Sequence, residues 1–205
     1  MSEPLHVWGC RTARTLRVYW ALHELNLDYT PHPIRTRTTD MDDSVFLEAS
    51  PGKKIPALTH GIINLTESSA IVEYLFRLAM KTPKDTVTAM QIERWSCFAL
   101  TELDATALYV LRRHEDLSEI YGEAPVACSA ARKYFERQIR VIHASLKDQR
   151  YFLVGNRLSK ADIILGSCCF WSQLIGLGLP RNVSQWYERI KRLASFKEAI
   201  KANDI

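Results

Sequence analysis

Strand-like and helix-like patterns alternate over roughly the first 80 residues of this 205-residue chain, and then the strand patterns stop. "LHVWG" (5–9) reads as a short strand, and "RTLRVYWALHELN" (14–26) as an amphipathic helix with Leu16, Tyr19, Trp20 and His23 on one face. "LDYTPHPI" (27–34) alternates like a strand that Pro33 confines to an edge or an end, and "DDSVFLEAS" (42–50) reads as a short helix. Two apolar runs around His60-Gly61 give a hairpin signal, and residues 67–79 a helix with Ile71, Leu75 and Leu78 on one face. The order β-α-β, short helix, β-β-α makes the first two strands parallel and the last two antiparallel. From residue 88 onward the periodicity is helical: 88–114, with Trp95, Ala99, Leu103 and Val110 as its stripe, then 124–149, 158–178 and 183–202. The expected division is therefore 1–80, mixed α/β, and 88–205, all-α.

Composition supports globular packing, with 47% hydrophobic and 24% charged residues. A net charge of +4 without a Lys/Arg run gives no footprint for nucleic acid. The N-terminal residues carry no basic segment leading into an apolar one, so a secretory signal is not expected. Residues 163–179 are apolar but interrupted by Ser167, Ser172 and Gln173 and short for a bilayer, which favours a buried helix over a membrane span. Five cysteines, Cys10, Cys97, Cys128, Cys168 and Cys169, form no Cys-x-x-Cys, which argues against a disulfide framework or a metal site and for a reducing cytoplasm.

Two segments carry chemistry. In "SPGKKIPALTHGIINLTESSAIVEYL" (50–75), Pro56 removes a donor where the pattern reads as strand, and Glu67, Ser68 and Ser69 stand at the mouth of a helix. A helix N-terminus presents free N–H groups and a positive dipole to a carboxylate, Ser68 adds a hydroxyl, and Glu67 offers an anion to an ammonium; the same residues can also simply cap the helix. Ser159-Lys-Ala-Asp162 is a capping box, with Leu158 and Ile163 at its staple positions.

The β-α-β then β-β-α half followed by an all-helical half resembles the cytosolic glutathione S-transferase family, of bacterial or fungal type, in which a thioredoxin-like domain precedes a helical one. "SPGKKIPAL" resembles its Pro-x-Gly-Lys-Val-Pro-Ala-Leu segment and "LTESSAIVEYL" its Leu-x-Glu-Ser-x-Ala-Ile segment. "LRVYWALHELNLDY" is similar to its first helix and "LSKADI" to its capping box; together these cover about 60 residues. Lys53 departs from the pattern, standing where the family often has glycine.

The resemblance implies a cis bond before Pro56, with the main chain of Ile55 pairing with the cysteinyl part of glutathione, Glu67 and Ser68 holding its γ-glutamyl end, and Lys54 its glycyl carboxylate. It implies a thiol-activating residue after the first strand. Thr12 matches that position in "GCRTARTL", with Thr15 and Cys10 as fallbacks; Thr12 also suits a helix cap. An electrophile pocket between the halves would draw on Trp95, Tyr109 and Arg113, with Arg112 nearby. The implied activity is conjugation of glutathione, as co-substrate and without a metal, to small electrophiles, a detoxification chemistry carried out by a cytoplasmic homodimer. Two alternatives stay open: a non-catalytic interaction or regulatory protein of the same fold, and a glutathione-dependent thiol oxidoreductase using Cys10.

Overall fold

Local signals place each early element where the computed structural model, which describes residues 3–204, has it. The strands are β1 (Leu5–Trp8), β2 (Thr30–His32), β3 (Ala57–His60) and β4 (Ile63–Thr66), and they form one sheet in the order β2-β1-β3-β4. β1 and β2 run parallel, and β3 is antiparallel to both β1 and β4. Between the strands lie α1 (Ala13–Leu25), a 3₁₀ turn (Thr39–Asp42) and α2 (Ser44–Ala49); α3 (Ser68–Leu78) follows β4. β2 is shorter than the 27–34 pattern predicts. It lies at the sheet edge with Pro31 inside it, and prolines at 31 and 33 deny the ladder two donors.

Alternation along β1 divides the core of this part of the chain. Leu5 and Val7 point to one face. Trp8 points to the other, into a cluster with Ile34, Phe46, Ala49 and Ala57 that Ile55 and Met41 border. α1 packs on α3 and on the helix α10 (Ala194–Asn203). At that second contact the fully buried Trp20 meets the edge of Phe196 at 4.7 Å and donates its indole N–H to Ser195 Oγ at 3.3 Å. Burying a side chain of that size stabilises by about 2–3 kcal/mol. One compact unit thus runs to Lys84 and takes in the chain from Arg192 onward, and the other spans Asp85–Lys191. The amphipathic pattern of 183–202 predicts a buried face but not its partner, so a division at 88–205 does not anticipate that α10 lies on α1.

The second unit is all helical. It comprises α4 (Thr86–Phe98), a π-helical stretch (Ala99–Leu108), α5 (Tyr109–Leu111), a π turn (Arg112–Asp116), α6 (Ser118–Tyr121), α7 (Pro125–Ser145), α8 (Lys160–Leu174) and α9 (Arg181–Ile190). The π segment corrects one expectation. Its i→i+5 bonds, such as Tyr109 N–H to the Asp104 carbonyl, put more residues in each turn and rotate the apolar stripe. Trp95, Ala99 and Leu103 are buried as predicted, but the stripe continues through Ala107, Leu108 and Leu111, and Val110 is only half-buried. Among the described residues no helix is long and apolar enough to cross a membrane, and 163–179 holds the buried α8.

The capping box of α8 forms as its spacing predicts. Asp162 is fully buried; one carboxylate oxygen accepts from the Leu153 amide at 2.6 Å and the other from the Ser159 amide and hydroxyl at 3.0 and 2.8 Å. Burial outweighs these donors and its pKa is pushed up to about 6 from an ordinary 3.8. The folded state therefore holds this proton more tightly than the unfolded chain. The stability contributed by protonated Asp162 is complete below about pH 4 and is lost as pH rises through about 6. In urea denaturation, the advantage of wild type over Asp162→Asn should shrink by on the order of 3 kcal/mol between pH 4 and 7. A pH-independent difference would show that the site's donors keep the carboxylate ionised.

Candidate functional site

The sheet register gathers three chain segments. Trp8 lies opposite Ala57 and Ala57 opposite Thr66, so the C-terminal end of β1, the start of β3 and the end of β4 form one row. With strands about 4.8 Å apart, the row spans about 10 Å. The loop through Gly9 to Thr12, the Ile55-Pro56 turn and the N-terminus of α3 at Glu67-Ser68 all issue from that row.

Thr12 is the N-cap of α1, in extended conformation, and forms a reciprocal pair with Thr15. The Thr15 amide donates to Thr12 Oγ1 at 3.0 Å and the Thr12 amide to Thr15 Oγ1 at 3.0 Å. Thr12 is half-buried, whereas Thr15 is fully buried. Cys10 is 1% exposed, its Sγ 3.7 Å from the Ile34 carbonyl. Burial raises its thiol pKa despite the nearby Arg35 and Arg11 charges, so it lacks the exposed, electropositive setting of a reactive thiolate.

The Ile55-Pro56 bond is cis. The preceding loop hangs on Ser50, whose hydroxyl donates to the Lys54 carbonyl at 2.8 Å and accepts the Lys54 amide at 3.1 Å. Lys53 has φ +50°, a conformation that suits glycine, and its ammonium pairs with Asp42. Lys54 is exposed, and among the described residues no main-chain hydrogen bond engages the amide or carbonyl of Ile55. Gly9 lies against this turn at φ +107°, where an added Cβ would come within 2.5 Å of Ile55 Cβ.

At the third segment Glu67 is exposed at φ +66° and makes no side-chain cap. A left-handed glutamate costs about 1–2 kcal/mol, a strain typical of positions set by ligand geometry. Ser68 is buried and its Oγ accepts from Arg17 Nη1 at 3.1 Å, across from α1. A guanidinium only donates, so the Ser68 proton is free to point elsewhere. Arg17 is fully buried.

The second-unit candidates do not converge. Trp95 is a core residue, 5% exposed, edge-on to Phe98 with the Arg94 guanidinium 4.5 Å from its ring centroid. Arg113 is exposed, its guanidinium 4.4 Å from Tyr121 and 6.0 Å from Tyr109. Trp95 and Tyr109 stand fourteen positions apart, with the end of α4 and the whole π-helical stretch between them, so the two do not line one small pocket. Tyr109, Arg113 and Tyr121 form an aromatic-cation group, of which the sequence patterns suggested the first two. Gly9 and Ser50 are not among the residues the sequence patterns single out; a glycine between a strand and a helix start is the available signal for the first.

Gly9→Ala should cost about 2–5 kcal/mol, from the left-handed conformation and the clash with Ile55. Thermal unfolding checks the cost, and an unshifted midpoint would mean the turn yields freely.

Family models for the glutathione S-transferase N-terminal and C-terminal domains match residues 3–77 and 125–189. A "Probable glutathione S-transferase" of Nicotiana tabacum is 26% identical over 203 residues, covering 93% of this chain and 84% of the relative. A crystal structure of a glutathione transferase homolog from Lodderomyces elongisporus, with two glutathiones per subunit, superposes with TM-score 0.85 at 16% identity over 97% of this chain and 98% of its own. A structure described as Ure2p in complex with glutathione superposes with TM-score 0.86 at 20% identity, over 98% and 95% of the two chains. The mixed sheet with its helices is the thioredoxin-like half of this fold and the helical unit is its other half. The two domain models together take in more than half of the chain, and the protein belongs to the glutathione S-transferase family.

Proposed function

We propose that the protein binds glutathione along the Trp8–Ala57–Thr66 row, ionises its thiol beside Thr12 and transfers the sulfur to a small electrophile. The observation that carries this reading is the register itself. The turn at Ile55, two residues before β3, issues from this row between two helix N-termini, over a span of about 10 Å that an extended tripeptide fills at about 3.3 Å per residue.

Each group has a chemical role. The Ile55 amide and carbonyl pair with the cysteinyl residue as a strand would. The Glu67 carboxylate takes the γ-glutamyl ammonium. The Ser68 hydroxyl, oriented by Arg17, donates with the α3 amides to the γ-glutamyl carboxylate. Lys54 reaches the glycyl carboxylate. The thiol loses its proton to water, and Thr12 donates to the resulting anion at the positive end of α1. The sulfur lone pair then forms the new carbon–sulfur bond as the electrophile's leaving group departs with its electron pair, or as an activated double bond accepts the electrons and then a proton. Unpaired cysteines support a reducing, cytoplasmic setting, and the exposed Val87 and Met90 of α4 suit a homodimer surface.

A non-catalytic reading is favoured by one observation: Thr12 already serves the capping box of α1, which a protein without chemistry would also retain. The oxidoreductase reading is disfavoured by the buried Cys10.

Calorimetry with reduced glutathione, and conjugation to a chloronitrobenzene, distinguish these. Thr12→Ala should keep glutathione affinity within about threefold while kcat falls roughly tenfold to a hundredfold, and Thr12→Ser should retain most of the rate. Absence of binding at millimolar glutathione would remove the reading. Binding without conjugation in the wild type would favour the interaction protein.

A further inference from the structure

The loop that carries Thr12 is also held from the far end of the sequence. Asn203, the final residue of α10 and 8% exposed, faces two threonines with its side-chain amide. Nδ2 lies 3.2 Å from the Thr12 carbonyl and Oδ1 2.6 Å from Thr15 Oγ1. A carbonyl only accepts, so the NH₂ must be the group facing Thr12. That leaves Oδ1, an acceptor, facing Thr15, and the Thr15 hydroxyl, with two acceptors in reach, donates to Oδ1 at 2.6 Å in preference to the Thr12 carbonyl at 2.9 Å. Thr15 Oγ1 then has only lone pairs for Thr12: one accepts the Thr12 amide at 3.0 Å and the other faces Thr12 Oγ1 at 2.9 Å. The run of hydrogen bonds has one direction, from the Thr12 hydroxyl through Thr15 to Asn203. Of the two hydroxyl protons, only that of Thr12 rests on a neutral hydroxyl, from which a charged sulfur draws it away.

The main chain adds to this hold. The Asn203 carbonyl accepts the Arg11 amide at 2.8 Å, and the Asp204 carbonyl accepts Arg11 Nε and Nη2 at 3.2 and 3.0 Å. Arg11 has φ +57°, a left-handed conformation these bonds stabilise. Residues 11, 12 and 15 are all fixed from α10.

We propose that Asn203 is a positioning residue acting through Thr12: it holds the Thr12 hydroxyl where the sulfur of bound glutathione accepts its proton, and so lowers the pH at which that thiol ionises. This rests on the reading of Thr12 as the thiol donor. Asn203 itself touches neither sulfur nor electrophile.

The test follows the ultraviolet absorbance of the thiolate of bound glutathione through a pH titration of the full chain. It compares wild type, Asn203→Leu, Asn203→Asp, Thr12→Val and the double variant Thr12→Val/Asn203→Leu. Asn203→Leu should raise the ionisation midpoint by about one pH unit, the scale of one hydrogen bond. Asn203→Asp should raise it too, since a carboxylate repels the Thr12 carbonyl, and it serves as the measurement should the leucine variant not fold. Thr12→Val should raise the midpoint, and adding Asn203→Leu should shift it no further. Midpoints of the Asn203 variants equal to wild type would overturn the inference and leave Thr12 in its role. A leucine shift that persists in full on the Thr12→Val background would also overturn it, by showing a role independent of Thr12. No glutathione binding, or an unchanged midpoint in Thr12→Val, would overturn the Thr12 reading and this inference together.

Discussion

The antiparallel ladder that places Trp8 opposite Ala57 and Ala57 opposite Thr66 governs everything at the site end of the sheet. It is a main-chain constraint, enforced by side chains. Trp8 and Ala57 point into the Phe46 cluster, while Leu58 pairs with Leu65 on the neighbouring strand β4. A slip of one residue would turn Trp8 out of that cluster and every neighbour with it. The cis turn, the Thr12 loop and the α3 N-terminus need no direct bond to one another to stay in place, because each is the continuation of a strand whose register is already set.

Beneath that row a buried cation ties two helices together. Arg17 lies wholly inside on α1 and donates to Ser68, the first residue of α3. Holding a guanidinium away from water is costly unless its donors are used. The same bond does chemical work on the other partner: Ser68 Oγ is made an acceptor on its inner side and remains a donor on its outer side. The left-handed Glu67 just before it turns the chain so that a carboxylate, rather than a cap, stands at the helix entrance.

Much of this was legible in the residues. Alternation in "LHVW", the spacing in α1 and the hairpin around His60-Gly61 specify the elements, because those signals are local, whereas the candidate residues between Ser50 and Leu75 rest on the family resemblance of that segment. The illegible parts have identifiable causes. Propensity does not announce a π segment, so the stripe in the long helix was placed on Val110 instead of Leu111. Trp95 at helical spacing reads equally as core or as ligand wall, and packing against Phe98 and Arg94 decided it. Lys53 in place of glycine looked like a break in the motif, yet it adopts the left-handed conformation a glycine would supply. Asn203 is 188 positions from Thr15, a separation over which no periodicity operates.

The return of α10 to α1 makes the sheet-bearing unit discontinuous along the chain. During synthesis, β1 through α3 emerge first, yet the face of α1 that carries Trp20 has no cover until Ala194–Asn203 has left the ribosome. At about 5–20 residues per second, the 115 residues between α3 and α10 impose a wait of about 6 to 23 seconds with an apolar helix face uncovered. The sheet can form early, but its last helix arrives only after the intervening helical unit has been made. A nascent chain stalled before α10 would therefore present a ready surface to chaperones, and the same chain a few residues longer would withdraw it.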